Sequence, residues 1–534
     1  MEAAARSWRP VRERSGPLGA LALVAAGLAQ ALSLALPWSG EPSWWLQAGA
    51  MAVLAWRLDA RARQGASWRE GAFLVWVFAL AWLCGTFWWL FISLHVYGGL
   101  PALLAVASVG ALAALLALYY ALAGAIYVAV FGRGGAGHPA WRALVFAALW
   151  TLAELMRAEW FTGFPWGAVG YGQGAGPMAP MVKLVGVYGL GAAAAMVSFV
   201  LMNLLCRPWS RASRHALWML APVALLTFGG HHVFSRDAGK LSVTLLQGNI
   251  AQDEKFQPGT GVADALRWYG EQLRDAGTQL VVAPETALPM LPQQLPAGYG
   301  EALRARFARG AQAVLIGVPL GSMALGYTNS VLGLKPGAAS AYTYDKHHLV
   351  PFGEFIPPFF RWFTDLMNIP LGDFRRGSVG QASFELGGQR LAPNICYEDL
   401  FGEELAARFI DPLTAPTAFV NVSNIAWFGN TIAIDQHLNI SRLRALEFER
   451  AMIRATNTGA TVIIDHEGRV THGLQRHTRG VLRGEFQGRT GETPFAWWAA
   501  RWGLKPLWGL ALALVALAVW RRPRATGSWS GRTH

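Results

Sequence analysis

Three polar residues with complementary chemistry lie in the one long polar stretch of this 534-residue chain. Glu285 follows the apolar run at residues 279–283, Lys346 lies further along, and Cys396 ends the run at 391–396. A cysteine thiol is mostly protonated at neutral pH, so a nucleophilic cysteine needs a base to take its proton and a cation or N–H donors for the oxyanion. Glu285 has the chemistry of the base, and Lys346 has the chemistry of the cation.

Each of the three residues alone also has an ordinary structural interpretation. Cys396 could be a small buried apolar side chain, Glu285 a helix cap or solvated carboxylate, and Lys346 a surface charge. An intrachain disulfide is a poor explanation for Cys396, because the other two cysteines, Cys84 and Cys206, lie in apolar stretches. The occurrence of all three residues near strand ends, in the order Glu, Lys, Cys, favours the catalytic interpretation.

The composition is typical of a membrane protein: 53% of the residues are hydrophobic, 14% are charged, and 25 are tryptophans. We predict a multi-span α-helical membrane bundle of about eight transmembrane helices, plus an α/β domain. The expected parts are a membrane domain at 1–231 with about seven spans, a catalytic domain at 232–500, and a last span with a short tail at 501–534. The candidate spans lie near residues 18–36, 43–57, 71–94, 101–130, 142–158, 181–205, 215–231 and 504–520.

Clusters of arginine occur in every second predicted loop, and this pattern indicates the orientation of the chain in the membrane. By the positive-inside rule, the loops that carry them are cytoplasmic, so both termini lie inside and residues 232–500 emerge on the opposite face, which in a bacterium is the periplasm or exterior. The net charge of +13 then reflects topology, and we expect no nucleic acid partner. The basic clusters are Arg6, Arg9, Arg12 and Arg14; Arg57, Arg61, Arg63 and Arg69; Arg133 and Arg142; Arg207, Arg211 and Arg214; and Arg521, Arg522 and Arg524.

The polar domain alternates strand-like and helix-like segments, which predicts a layered α/β domain with its chemistry at strand ends. The predicted helices cover residues 261–276 and 437–455. The predicted strands cover residues 241–246, 279–283, 313–318, 327–334, 391–396, 418–422 and 461–465.

Several other polar or aromatic features have open interpretations. Glu154 and Arg157 are three residues apart on one predicted helix, where they either pair or shape a lipid-accessible cavity. The histidine pairs at 231–232 and 347–348 do not have the spacing of metal ligands, so we expect surface or interface histidines and no metal. The proline- and aromatic-rich segment at 352–367 is either a mobile membrane-facing segment or an ordered surface loop.

The residues around the three candidates resemble the carbon-nitrogen hydrolase (nitrilase) superfamily. With its apolar spans, nearly the whole chain is similar to the apolipoprotein N-acyltransferase family of bacterial inner membranes. The segments that carry the resemblance are residues 162–166, 347–354, 396–398, 423–429 and 456–459.

This resemblance implies a four-layer αββα sandwich and transfer of a fatty acyl chain from a phospholipid to the N-terminal amine of a diacylated apolipoprotein. It implies Cys396 as nucleophile through a thioester, Glu285 as general base and Lys346 as oxyanion stabiliser. The expected molecule is a monomer of the inner membrane without a cofactor, and the alternative is a membrane-tethered amidase or nitrilase that uses water. The implied supporting or substrate-binding residues are Glu354, Tyr397, Glu398, Asn329 and Trp427.

One position departs from the family pattern. Ile425 stands where the resemblance leads us to expect aspartate. We expect this residue to lie behind the reacting groups, where it would alter local hydrogen bonding more than the activity.

Overall fold

The computed structural model describes residues 17–132, 137–206, 215–322, 324–356 and 374–522. Residues 357–367 of the proline- and aromatic-rich segment, for which a mobile segment and an ordered loop were both open interpretations, lie outside these ranges. The residues of the predicted basic clusters that lie outside them are Arg6, Arg9, Arg12, Arg14, Arg133, Arg207, Arg211, Arg214 and Arg524.

The apolar stretches form helices at the predicted positions. Within the described residues, three helical segments are long and apolar enough to cross a membrane, Trp68–Phe87, Ala102–Phe131 and Ala179–Cys206, and the bent pair Pro494–Trp502 with Lys505–Trp520 would make a fourth. About eight spans were predicted; two of the other helices are short, and two carry charged residues that lower their hydropathy. The helices are α1 Pro17–Leu32, α2 Trp44–Arg63, α3 Trp68–Phe87, α4 Ala102–Phe131, α5 Pro139–Glu159, α6 Val182–Cys206 and α7 Leu220–Gly230.

Three charged side chains of α5, those of Arg142, Glu154 and Arg157, are buried and have defined partners. Arg142 lies 2.5 Å from Asp59 of α2. The Glu154 carboxylate accepts a hydrogen bond from the Val169 amide at 2.8 Å, and Arg157 donates to the Trp166 carbonyl at 2.7 Å. Glu154 and Arg157 therefore both hold the loop that follows their helix, a role that neither sequence interpretation anticipated.

The part of the polar domain that the structure describes contains two six-stranded sheets. Their strand orders are β12-β1-β2-β3-β4-β5 and β11-β10-β9-β8-β7-β6. The strands are β1 Ser235–Gln247, β2 Leu280–Ala283, β3 Ala313–Ser322, β4 Gly326–Leu334, β5 Tyr342–Asp345, β6 Phe384–Leu386, β7 Gln389–Ile395, β8 Ala418–Ser423, β9 Ala451–Thr456, β10 Val462–Ile464, β11 Val470–Gly473 and β12 Gly480–Gly491.

Apolar clusters define four layers. Side chains such as Leu245 and Val420 meet between the two sheets. The outer face of the first sheet is covered by α8 Ala263–Asp275 and α9 Tyr299–Arg309. The second sheet packs against α10 Ala433–Phe448 and α11 Pro494–Trp502, which is followed by α12 Lys505–Trp520. This αββα sandwich confirms the fold predicted for the polar domain.

The helix predicted at 437–455 is wrong in its second half. The helix α10 ends at Phe448, and strand β9 begins at Ala451. Between them Glu449 has a left-handed backbone with φ +49°, a conformation that a right-handed helix cannot continue through. Its side chain offsets this cost, because one carboxylate oxygen accepts hydrogen bonds from the Ser235 amide at 2.8 Å and hydroxyl at 2.6 Å.

The helical and polar parts are joined by several direct contacts. The chain enters and leaves the polar domain through neighbouring strands, since Ser235 of β1 pairs with Gly491 of β12. The helix α6 is interrupted at Gly186, whose φ is +70°. The backbone amide released at Val187 donates to the Glu447 carboxylate of α10 at 2.9 Å. The polar domain therefore supplies an acceptor for the interrupted helix.

Candidate active site

The candidate residues meet because parallel strands place their carboxyl ends at one edge of each sheet. β1 and β2 are parallel, as are β7 and β8. Glu285 follows β2, Cys396 follows β7 and Asn424 follows β8. In open α/β sheets this edge is where ligands and catalytic groups gather.

Cys396 lies at a sharp change of backbone direction. It is the first residue of the 3-10 turn Cys396–Leu400, and its φ of +57° is uncommon for a residue with a side chain. Its carbonyl oxygen accepts a hydrogen bond from the Asn421 side chain at 2.8 Å. Burial raises the pKa of Cys396 to about 12, and the negative Glu285 adds to the rise while Lys346 opposes it. The resting thiol is therefore protonated, and it needs a base.

Glu285 is buried and held as a carboxylate. One oxygen accepts from the Asn329 amide at 2.7 Å and lies 3.5 Å from the Lys346 ammonium, and the other accepts from the Asn424 backbone amide at 2.7 Å. Burial raises the pKa of Glu285, but Lys346 and these hydrogen bonds outweigh that effect and leave the pKa below its ordinary value. Glu285 is therefore an ionised proton acceptor at neutral pH.

Lys346 is shared between two carboxylates. Its ammonium lies 2.9 Å from Glu354 and 3.5 Å from Glu285, and Asn329 also donates to Glu354 at 2.7 Å. Burial lowers the pKa of Lys346, but Glu354 and Glu285 outweigh it and hold the pKa well above its ordinary value. The ammonium also lies 5.6 Å from the centre of the Tyr397 ring. Lys346 is therefore a fixed positive charge.

Glu398 connects the chain segments that carry the lysine and the cysteine. One carboxylate oxygen accepts from the backbone amides of His347 at 2.7 Å and His348 at 3.0 Å. The other accepts from the Ile395 amide at 2.6 Å and the Tyr344 hydroxyl at 2.8 Å. Its role is to fix the spacing between the two segments.

Tyr397 and Trp427, the other two residues predicted to support the site or bind substrate, make different contacts from those of Glu398. Tyr397 donates its hydroxyl hydrogen to the Leu349 carbonyl at 2.7 Å, which holds the same two segments together. Trp427 is half-buried, and the centre of its ring lies 5.7 Å from the centre of the Tyr97 ring. Tyr97 is the last residue of the short π-helix Ser93–Tyr97. The structure thus places Trp427 against the helical part of the chain.

Ile425 packs as an apolar side chain. It is buried, and a Cβ added to Gly459 would lie 2.5 Å from the Ile425 Cγ2 atom. This close approach between Ile425 and a glycine leaves no room for a larger residue at 459. The position therefore contributes packing behind the site.

Sequence reasoning misplaced one residue and missed another. His348 was expected at a surface or interface, but it is buried, stacks on Phe401 and lies 2.8 Å from a Glu404 oxygen. Lys255 was not predicted; it is buried, and its ammonium donates to the Glu285 carbonyl oxygen at 3.0 Å. The available signal for Lys255 was its place after β1, at the same sheet edge as Glu285.

The fold and the grouped thiol, carboxylate and ammonium are those of a carbon-nitrogen hydrolase domain, and the carbon-nitrogen hydrolase family model matches residues 242–495. The model of the apolipoprotein N-acyltransferase N-terminal domain matches residues 28–200. Among solved structures, a mutant of the Nesterenkonia AN1 amidase of the nitrilase superfamily aligns with TM-score 0.36 and 16% identity, covering 52% of this chain and 100% of that one.

Relatives extend the match to most of the chain. The apolipoprotein N-acyltransferase of Verminephrobacter eiseniae is 60% identical over 503 residues, covering 90% of this chain and 92% of that protein. The protein of the same name from Ralstonia nicotianae is 44% identical over 530 residues, covering 97% and 98%. The chain therefore belongs to the apolipoprotein N-acyltransferase family, and it is an acyltransferase.

Proposed function

We propose that this enzyme moves a fatty acyl chain from a membrane phospholipid to the N-terminal amine of a diacylated apolipoprotein, through a thioester on Cys396. The observation that carries the proposal is the grouping of the half-buried Cys396 with the buried, ionised Glu285 and the buried, charged Lys346. Family membership supplies the acyl-transfer chemistry, and the site supplies one group for each step of that chemistry.

In the first step, Glu285 takes the thiol proton of Cys396 while the sulfur attacks the ester carbonyl of the phospholipid. The C–S bond forms, the carbonyl oxygen becomes negative, and Lys346 stabilises that charge together with nearby backbone N–H groups. The tetrahedral intermediate collapses with loss of the lysophospholipid alkoxide, which takes the proton held by Glu285. A thioester on Cys396 remains.

In the second step, the apolipoprotein amine attacks the thioester carbonyl. Glu285 accepts a proton from the amine and returns one to the departing sulfur, so the amide product forms and the Cys396 thiol is restored. The charge at the carbonyl oxygen again lies near Lys346. A thioester is more reactive toward amines than the amide product is, so transfer runs toward the acylated lipoprotein.

The proposal includes the membrane arrangement. We propose about eight spans, a membrane domain at 1–231, a periplasmic catalytic domain at 232–500, a last span in 501–534, cytoplasmic termini and a monomer. Helices at each predicted stretch support the spans, and Arg61 and Arg63 in the last turn of α2 support a cytoplasmic end there.

Labelling in intact cells tests this orientation. In a Cys206→Ala background, Glu385→Cys should react with a membrane-impermeant maleimide, whereas Gln64→Cys should react only after permeabilisation. Both positions are exposed in the structure. The reverse pattern would reject the orientation without affecting the chemistry.

The activity is tested with the full-length enzyme in detergent, a phospholipid labelled in its acyl chains, and a diacylated lipopeptide. Wild type and Cys206→Ala should form a labelled enzyme thioester and then an amide on the lipopeptide amine, both identified by mass spectrometry. Cys396→Ala should form neither. A thioester on the Cys396→Ala variant would reject the nucleophile, and release of free fatty acid without amide would favour the amidase alternative.

A further inference from the structure

A second buried ammonium lies beside the candidate catalytic group. Lys255 is 2% exposed and belongs to the loop between β1 and α8. One of its three N–H donors binds the backbone carbonyl oxygen of Glu285 at 3.0 Å. Burying a charged amine is costly unless nearby groups compensate for the lost water, so a lysine in this place needs a reason.

The loop is built to keep Lys255 inside. The Lys255 backbone amide binds the Ala251 carbonyl at 2.9 Å, which forms a turn. Gly261 then packs against this turn so closely that an added Cβ would lie 2.9 Å from the Lys255 Cα atom. Gln252 of the same loop accepts a hydrogen bond from Asn424 at 2.8 Å, and the Asn424 backbone amide binds the Glu285 carboxylate. The loop is thereby bonded to the Glu285 backbone through Lys255, and it is linked to the Glu285 carboxylate through Asn424.

The titratable groups that act on the Lys255 ammonium from neighbouring segments are Glu285, after β2, and Cys396, after β7. The Lys346 ammonium lies 3.5 Å from the Glu285 carboxylate and 2.9 Å from the Glu354 carboxylate. Lys255 is thus a second ammonium, besides Lys346, whose charge acts on the Glu285 carboxylate and the Cys396 thiol. A positive charge next to a thiol favours its thiolate form.

We infer that Lys255 is a positioning residue of this site, whose ammonium fixes the backbone at Glu285 and whose positive charge stabilises the thiolate of Cys396. The inference deepens the proposed function, since it concerns the same nucleophile. It also predicts that loss of the Lys255 proton weakens the nucleophile without breaking the fold.

The charge of Lys255 changes in an accessible pH range. Burial lowers the pKa of Lys255 to about 7, although Glu285 and Cys396 act in the opposite direction. Lys346 stays charged over the same range because its pKa is raised, and Glu285 stays ionised because its pKa is lowered. Among these groups, Lys255 is therefore the one whose titration would change the reactivity of Cys396 near neutral pH.

The test is the rate at which iodoacetamide alkylates Cys396 in the full-length protein in detergent. Mass spectrometry of the Cys396 peptide gives this rate between about pH 5.5 and about pH 9, on either side of the lysine titration. The variants are Lys255→Met, which removes the charge, and Lys255→Arg, which keeps it at every pH used. Alkylation needs neither phospholipid nor lipoprotein, so the result is independent of whether the proposed acyl transfer is correct.

If the inference holds, wild type reacts about tenfold faster than Lys255→Met at the acid end, which corresponds to about one unit in the thiol pKa. The ratio should fall to about one at the alkaline end, where the wild-type lysine is neutral. Lys255→Arg should match wild type at the acid end and exceed it at the alkaline end.

A ratio of wild type to Lys255→Met that is the same at every pH would overturn the charge role, since a purely structural defect has no reason to follow the lysine titration. If Lys255→Met does not fold, the wild-type profile still decides the matter. As pH rises through about 7, the alkylation rate of wild type should fall below that of Lys255→Arg. Parallel pH profiles for these two proteins would reject the inference.

Discussion

Replacing Glu398 with glutamine should separate the segment that carries Lys346 from the turn that carries Cys396. The Glu398 carboxylate accepts four hydrogen bonds, two at each oxygen. The amide of Glu398→Gln has one oxygen and one NH2 group, so it can serve the donors on one side only. The substitution keeps the size of the side chain and changes its hydrogen bonding.

The loss of folding free energy in Glu398→Gln depends on which of the four hydrogen-bond donors is left without an acceptor. If the NH2 group faced the two backbone amides of His347 and His348, both would lose their acceptor. If it faced Ile395 and Tyr344 instead, the tyrosine hydroxyl could rotate and accept, leaving only the Ile395 amide unpaired. The second arrangement destabilises the protein less, so we expect it to form. One unpaired buried amide, together with the loss of a charged acceptor for the other donors, costs about 2–4 kcal/mol of folding free energy.

Two measurements check this prediction. Thermal unfolding in detergent should show a midpoint lower by roughly 4–16 °C, at about 2–4 °C per kcal/mol for a domain of this size. Thioester formation on Cys396 should slow by about 10–100-fold, because displacement of reacting groups by about 1 Å is that costly. Glu385→Gln, on an exposed position of β6, should change neither quantity. A Glu398→Gln protein with the wild-type midpoint and acylation rate would refute the bracing role.

Two further outcomes are expected. The pKa of Glu285 is held below 4.5, so the stability from its ionised contacts is present above that value and is lost as pH falls through the lowered pKa. Below about pH 6, where Lys255 is already charged, acylation of Cys396 should therefore fall only as pH drops through the lowered pKa of Glu285. Lys346→Met should move this fall upward by about 1–3 pH units, as a pH–rate profile would reveal. Gly186→Ala should lower the unfolding midpoint, because a Cβ there would lie 2.3 Å from the Phe495 ring and φ is +70°. Gly110→Ala, in a helix with open space around it, should leave the midpoint unchanged or raise it slightly.

Sequence reasoning located the ends of strands well, because apolar runs of strand length bounded by polar residues are strong local signals. It could therefore place Glu285 and Cys396 at the ends of strands, whereas the edge that they share follows from the parallel pairing of those strands in the structure. The roles of these residues remain predictions that the experiments above address.

The parts that sequence reasoning missed depend on contacts between distant segments. The helix that ends before Glu449 stops because that carboxylate binds Ser235, more than two hundred residues earlier in the chain. Lys255 belongs to a polar loop whose composition is that of solvent-exposed segments, and only the packing of Gly261 and the position of Glu285 make it a buried charge. His348 was placed at a surface or interface for the same reason, because hydropathy does not record a ring stacked on Phe401.

The pairing of β1 with β12 gives the polar domain adjacent entry and exit points. Since Ser235 faces Gly491 across a hydrogen-bonded ladder, about half the protein is inserted between two points one strand spacing apart. Such an insertion needs no long connectors, and neighbouring termini are what allow a domain to be transplanted into another chain. The same geometry offers engineers a graft point at which a water-soluble relative of the sandwich could be exchanged for the native one without rebuilding the helices beneath it.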